Sequence, residues 1–265
     1  RKDSMANLYS PIFCDGQNLF CRLAEPTIPL RGVVQISHGM CEHIDRYIPF
    51  FRFLALEGFV VCGNDHLGHG KTCQNPDHFG FFAEEKGYQY LIEDLHQISL
   101  FLKKRYPQLP LFLFGHSMGS MITRLYLSKY SSLLQGVVIC GTAGPNPASK
   151  AGMLLCKQVI AKRGAFSHSS QLQKLIFGSY NNRCSHPKNE WAWLSRDDEM
   201  VDAYIQDIVW IPVYCICLSG SVVPAIFLQH PGMVQNTRPK SSNAVDFWSD
   251  GPVGNYGKGI RMIEK

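Results

Sequence analysis

No two cysteines in this 265-residue chain are spaced as CxxC, and no cysteines and histidines fall at the spacing of a structural zinc site. A thioredoxin-like redox motif and a zinc-finger scaffold are thereby excluded. Long apolar runs are missing too. The longest, "IVWIPVYCICL" from Ile208, is far too short to span a membrane and carries Pro212. The formal net charge is only +5, and the basic residues are scattered rather than gathered into a stripe interleaved with aromatics, which argues against nucleic acid as a partner. The opening "RKDSMANLYS" has no apolar signal core and does not begin with methionine. The expectation is a fragment without a secretion signal, from a protein that is cytoplasmic or peripheral to a membrane.

What is present points to a folded domain. With 45% hydrophobic and 18% charged residues, the chain can bury one large core and carry a modest insertion. Most of the ten cysteines lie inside apolar runs, such as Cys62 in "FVVCG", Cys140 in "VVICG", and Cys215 and Cys217 in "VYCICL". Buried reduced thiols explain that placement more simply than a disulfide framework. Nearly continuous apolar runs at 32–37, 58–63, 111–115, 136–141 and 212–218 predict strands covered on both faces, as in a parallel sheet. Between them, helical spacing predicts helices over Tyr47–Glu57, Tyr88–Arg105 and Met118–Tyr130. Such alternation predicts an α/β fold, a mostly parallel sheet with helices on both faces. The rhythm breaks over 145–210, which reads as a helical cap inserted between core segments 1–144 and 211–265. The apolar face around Met153, Leu154, Leu155, Val159 and Ile160 packs onto the core or lines a lipid-binding mouth, the former by the general rule for such stripes.

The chemistry concentrates in "LFLFGHSMGSMITRLYL", residues 111–127. Its "GHSMG" fits the GxSxG nucleophile elbow, in which glycines at 115 and 119 admit a sharp strand-to-helix turn that projects the Ser117 hydroxyl above the sheet. The flanks supply the strand and the helix, whose free N-terminal N–H groups would face a reacting carbonyl oxygen. "QISHGMCEH" places His38 and Gly39 just after a strand, either as an ordinary turn or as the turn that offers the Met40 N–H to an oxyanion, with the Met118 N–H as second donor. "GNDHLGHGKT" clusters Asp65, His66 and His69; with no second ligand group at suitable spacing, a hydrogen-bonded loop is favoured over a metal site.

Together "SHGMCEH", "NDHLGHGKT" and "FGHSMGSMITRLYL", with "CGTAGPNP" and "WLSRDDEMVDAY", resemble the monoacylglycerol lipase and lysophospholipase group of the α/β-hydrolase superfamily, also grouped with serine aminopeptidase-like hydrolases. The resemblance runs over about residues 8 to 207. It implies an α/β-hydrolase fold with a cap, and a serine carboxylester hydrolase acting on monoacylglycerols or lysophospholipids. Ser117 would be the nucleophile and the Met40 and Met118 N–H groups the oxyanion hole, with no cofactor and no metal. An acyl ester or lipid is the implied partner, with peripheral membrane contact as an option and the oligomeric state open.

The C-terminal part departs from the family. Family members follow the last clear strand with a pattern like "SGxxDPVGxxGKG", whose aspartate is the triad acid; here residues 222–249 intervene before "DGPVGNYGKGI" and read as an insertion. Asp250 is the acid candidate, although Gly251 holds the place directly before Pro252. No histidine follows Asp250, where the chain order Ser, Asp, His requires one, so an altered or truncated C-terminal part is expected. Nothing around His230 suggests placement near the serine; His116 points away from it by geometry, and His38 belongs to the oxyanion turn. Two rival readings stand beside the hydrolase: a non-catalytic acyl-lipid binder or truncated pseudo-hydrolase without the triad histidine, and a peptidase or acyltransferase on the same scaffold.

Overall fold

The computed structural model describes residues 4–14, 17–144, 149–164 and 169–207. Six strands, β1 (Ser4–Cys14), β2 (Gln17–Glu25), β3 (Gly32–Ser37), β4 (Phe59–Asn64), β5 (Leu111–His116) and β6 (Gly136–Cys140), form one sheet in the order β1-β2-β4-β3-β5-β6. β3 runs parallel to β4 and β5, and β5 parallel to β6. β2 pairs antiparallel with both β1 and β4. The four strands expected from 32 to 141 are present within one residue at each end, whereas the strand expected at 212–218 lies outside the described residues.

Helix α1 (Ile48–Leu56) covers one face of the sheet, while α2 (Gly87–Arg105) and α3 (Met118–Tyr130) cover the other. The apolar runs serve both faces in alternation. Leu19, Cys21 and Leu23 of β2 join Val60 and Cys62 of β4 on the α2/α3 side, while Phe20, Ala24 and Val61 turn to α1. On α2, Leu91, Leu95, Ile98 and Leu102 recur at three to four and are all buried, as their spacing predicts. The helix ends with Lys103, Lys104 and Arg105 in its last turn, where cations offset the helix dipole, and Pro107 blocks continuation.

α3 is buried from Met118 through Leu127, so it needs polar anchors as well as apolar packing. Tyr126 donates to Ser99 Oγ (2.9 Å), Ser99 to Gln35 Oε1 (2.6 Å), and Gln35 Nε2 to the Leu95 carbonyl (2.9 Å), all buried. That chain of bonds ties α3, α2 and β3 together beneath the elbow.

Beyond β6 lie α4 (Ser149–Arg163), α5 (Ser170–Phe177) and α6 (Asp198–Gln206). The expected apolar face of α4 is corrected in part. Leu154 is 59% exposed, while Cys156 is buried against Cys41 and the half-buried Leu155, Val159 and Ile160 pack around the pair with Met40 and Phe79. Positions 156, 159 and 160 share one helical face, and Leu154 sits off it. All cysteines whose side chains are described are free thiols, as expected. Among the described residues no helix is long and apolar enough to cross a membrane.

Candidate active site

Ser117 is the single residue between the end of β5 and the start of α3. To turn the chain there it adopts φ 51° and ψ −118°, a conformation costly for a residue with a Cβ. Its backbone is held on both sides. The N–H donates to the Cys140 carbonyl on β6 (2.9 Å), and the C=O accepts from the Ser120 N–H (3.0 Å), the Met121 N–H (3.3 Å) and the Ser120 hydroxyl (2.5 Å). The side chain is half-buried, and no described residue hydrogen-bonds its Oγ.

Gly119 is required by close approach. A Cβ there would lie 2.0 Å from the Ser37 carbonyl oxygen and 2.5 Å from that of His38. The elbow helix therefore presses directly on the end of β3 and on the turn that follows. That turn, residues 38–41, also packs against the serine: a Cβ on Gly39 would stand 3.2 Å from Ser117 Cβ. Neither the Met40 N–H nor the Met118 N–H has an acceptor among the described residues. Two free N–H donors, one on the turn and one at the first residue of α3, thus flank the serine.

The turn is held by its own side chains. His38 Nδ1 donates to the Gly39 carbonyl (2.7 Å), and its Nε2 accepts the His66 N–H (3.0 Å). Both ring nitrogens are used, so His38 has no free nitrogen with which to take a proton from the serine. Because a trans peptide points its C=O and N–H in opposite directions, fixing the Gly39 carbonyl also fixes the direction of the Met40 N–H. Cys41 closes the turn with φ 61°, its N–H donating to His69 Nε2 (3.4 Å).

The Asp65, His66 and His69 loop is a hydrogen-bonded scaffold. Asp65 accepts the Ile44 N–H on Oδ1 and the Lys71 N–H on Oδ2, each at 2.7 Å. His66 Nε2 meets Ser37 Oγ (3.1 Å), while His69 Nδ1 donates to the Leu67 carbonyl (2.9 Å) and its ring stacks on Phe82. Burial pushes His66 down to about 3, His69 down to about 4 and His38 well below the usual histidine range, so all three are neutral near pH 7. No metal-ligating cluster occurs among the described residues. Burial also pushes the Cys41 thiol up to about 12, which leaves it unreactive as a thiolate source.

Two residues that sequence reasoning passed over sit at the centre of this geometry. Glu42 Oε1 accepts from the Gly39 N–H (2.5 Å), the Tyr47 hydroxyl (2.8 Å) and His116 Nδ1 (3.0 Å), and Tyr47 Oη also lies 2.9 Å from His116 Nδ1. His116 is thus directed at Glu42 and Tyr47, in keeping with its expected turn away from the serine. A carboxylate three residues after the turn glycine was the visible signal for Glu42; Tyr47 carried none. α6 and the residue that follows it reach the same region, through the Arg46 guanidinium over the Tyr204 ring (4.7 Å) and His43 Nε2 on Asp207 Oδ2 (2.7 Å). Asp250, His230 and the 222–249 segment lie outside the described residues.

The model of the family described as serine aminopeptidase, S33, matches residues 28–214. The monoglyceride lipase of Rattus norvegicus is 32% identical over 146 residues, 54% of this chain and 46% of the relative. The monoacylglycerol lipase of Mycolicibacterium smegmatis is 30% identical over 118 residues, 44% of this chain and 40% of the relative. The chain spans about half the length of the curated relatives it matches. A highly thermostable carboxyl esterase from Bacillus coagulans, solved in complex with glycerol, superposes with a TM-score of 0.83 at 28% identity, over 98% of this chain and 84% of that one.

Proposed function

Because the chain belongs to the serine aminopeptidase S33 family and has the α/β-hydrolase fold, we propose that it is a carboxylic ester hydrolase acting on monoacylglycerol or lysophospholipid-type esters through an acyl-enzyme on Ser117. One observation carries the reading. A serine held at φ 51° by hydrogen bonds on both sides of its backbone, with its hydroxyl unengaged by any described residue, lies near the N–H groups of Met40 and Met118, which lack acceptors among the described residues.

In the proposed reaction Ser117 Oγ attacks the ester carbonyl carbon, and the carbonyl oxygen becomes an oxyanion that accepts from the Met40 and Met118 N–H groups. Such preorganised donors contribute on the order of 10²- to 10³-fold each to turnover. The tetrahedral species collapses as the alcohol leaves with a proton, and water then releases the acid from the serine. His38, with both ring nitrogens hydrogen-bonded, is not the base that takes the Ser117 proton, and no described residue hydrogen-bonds Ser117 Oγ. The part proposed for Asp250 falls outside the described residues. Acyl esters of glycerol are favoured as substrates because the relatives bear monoglyceride and monoacylglycerol lipase names. α4, within the proposed 145–210 cap, covers the Met40 turn through Cys156 and Ile160, which supports a role in shaping access to the serine.

The test is labelling with a fluorophosphonate probe, together with hydrolysis of a panel of short-chain esters, monoacylglycerols and lysophospholipids. Ser117→Ala is expected to lose both labelling and hydrolysis while keeping the wild-type melting temperature. A mutant as active as the wild type overturns the proposal. A well-folded wild type that never labels favours the acyl-lipid-binding reading instead.

A further inference from the structure

The two proposed oxyanion donors come from separate parts of the chain, and nothing in either local turn sets the distance between them. Met40 sits on the turn after β3, and Met118 opens α3 after β5. A hydrogen-bonded bridge spans the gap. Glu42 Oε1 accepts the Gly39 N–H at 2.5 Å on one side and His116 Nδ1 at 3.0 Å on the other, residues 77 apart in number and each a neighbour of the site. Gly39 directly precedes Met40, and His116 directly precedes Ser117.

We propose that Glu42 is the positioning residue of the acyl-transfer site, a carboxylate strut that fixes the Met40 turn against the Ser117 elbow so that both N–H donors converge on one oxyanion. The inference rests on the acyl-ester reading above and assigns to Glu42 no contact with substrate.

The surroundings are built for a strut. The Glu42 side chain is 11% exposed, so its bonds are shielded from competing water. Gly39 leaves room for it: a Cβ at that position would stand 2.6 Å from Glu42 Oε1 and 3.3 Å from His116 Nδ1. Tyr47 donates its hydroxyl to the same oxygen at 2.8 Å, and Arg46 Nε lies 3.5 Å from Oε2, so the carboxylate is also held from the turn that leads into α1. Burial, the largest influence, works to raise its pKa. The hydrogen bond from His116 and the nearby Arg46 guanidinium outweigh it and hold Glu42 well below the usual carboxylate range. Glu42 therefore stays an acceptor throughout the pH range in which an esterase would be assayed.

Gly39 is then clamped through both of the peptide groups that flank its Cα. Its N–H is on Glu42 and its C=O is on His38 Nδ1, which leaves the following Met40 N–H a single direction. Removing Glu42 frees one clamp and the tie to the elbow together. A displacement of about 1 Å between a catalytic donor and the reacting atom costs about 10²-fold in rate, and a partial loosening costs less.

The test compares Glu42→Ala, Glu42→Gln and wild type by two independent measurements. The first is steady-state hydrolysis of a p-nitrophenyl ester. Glu42→Ala is expected to lower kcat by about 10- to 100-fold with KM within about threefold, since the donors act on the transition state and not on ground-state binding. Glu42→Gln keeps an acceptor oxygen for Gly39 and is expected to recover at least about tenfold over the alanine variant. The second is amide hydrogen exchange by mass spectrometry over 38–43 and 115–121, which needs no turnover. Glu42→Ala is expected to speed exchange in both segments at once while the peptides of α2 and β4 keep wild-type protection. Unchanged exchange in either segment overturns the strut, as does a change confined to KM. Global loss of protection in the alanine variant transfers the decision to Glu42→Gln, whose exchange must then stay near wild type in both segments for the proposal to stand. Should wild type neither hydrolyse esters nor label with fluorophosphonate, the acyl-ester reading falls and, with it, the catalytic role of the strut; the bridge itself is then decided by exchange alone.

Discussion

Gly119→Ala separates a local preference from a tertiary demand. In an isolated helix the substitution stabilises by about 0.8–1.0 kcal/mol, because glycine is the poorer helix former. Here the new Cβ would stand 2.0 Å from the Ser37 carbonyl oxygen and 2.5 Å from that of His38, against ordinary contacts of about 3.5 Å. Neither oxygen can retreat cheaply. Ser37 ends a strand paired with Gly115 of β5, and His38 is held at both ring nitrogens. Overpacking of this kind costs about 1–3 kcal/mol, and contact with backbone on a central strand belongs at the upper end. The net expectation is a loss of about 2 kcal/mol, or about 4–8 °C in melting temperature at about 2–4 °C per kcal/mol for a chain of this size. The same push moves the His38–Met40 turn away from Ser117. Fluorophosphonate labelling should therefore slow by about tenfold or more, as expected when a donor is displaced by a sizeable fraction of 1 Å. The assays are thermal unfolding by circular dichroism and the rate of probe labelling. A Gly119→Ala protein that melts at or above wild type and labels at the wild-type rate would refute the close approach on which the geometry rests.

Acidification should destabilise the chain well before its carboxylates are protonated. His66, depressed to about 3, and His69, depressed to about 4, with His38 in the same direction, are neutral when folded but take up protons in the unfolded chain near 6.5. Their contribution is fully present above about pH 6.5 and falls as pH drops toward 4, by about 1.4 kcal/mol per pH unit for each histidine. Buried Asp65, whose pKa is raised, works in the opposite sense, one group against three. Urea unfolding at pH 7.5, 6 and 5 checks this, and a midpoint independent of pH contradicts it. Tyr126→Phe removes the buried donor to Ser99 Oγ and should cost about 1–2 kcal/mol without shifting the denaturant slope; a midpoint equal to wild type would show that the bond between α3 and α2 contributes nothing.

The strands at 32–37, 58–63, 111–115 and 136–141 were legible because each is short, apolar and bounded by turn residues. Met118–Tyr130 was legible to the residue, since the elbow marks its start. The hairpin of β1 and β2 was not. "NLFCRLAE" alternates weakly, and what makes it a strand is its antiparallel pairing with β4 at Cys21–Ala24, residues about 40 positions away. Cys156 was hidden for a similar reason. A lone cysteine on an amphipathic helix gives no hint that it packs against Cys41, more than a hundred residues earlier.

By itself the sequence determined the alternation of strand and helix, the serine elbow with its glycines, and the His38–Gly39 turn. Each is a local matter of side-chain period or backbone conformation, written within a dozen residues. Only the tertiary structure decided what holds these pieces at working distance. Glu42 joins Gly39 to His116, His66 donates its N–H to His38, and Gly119 lies against β3. Those contacts join positions far apart in the chain, and their existence depends on packing geometry that no short stretch of residues encodes.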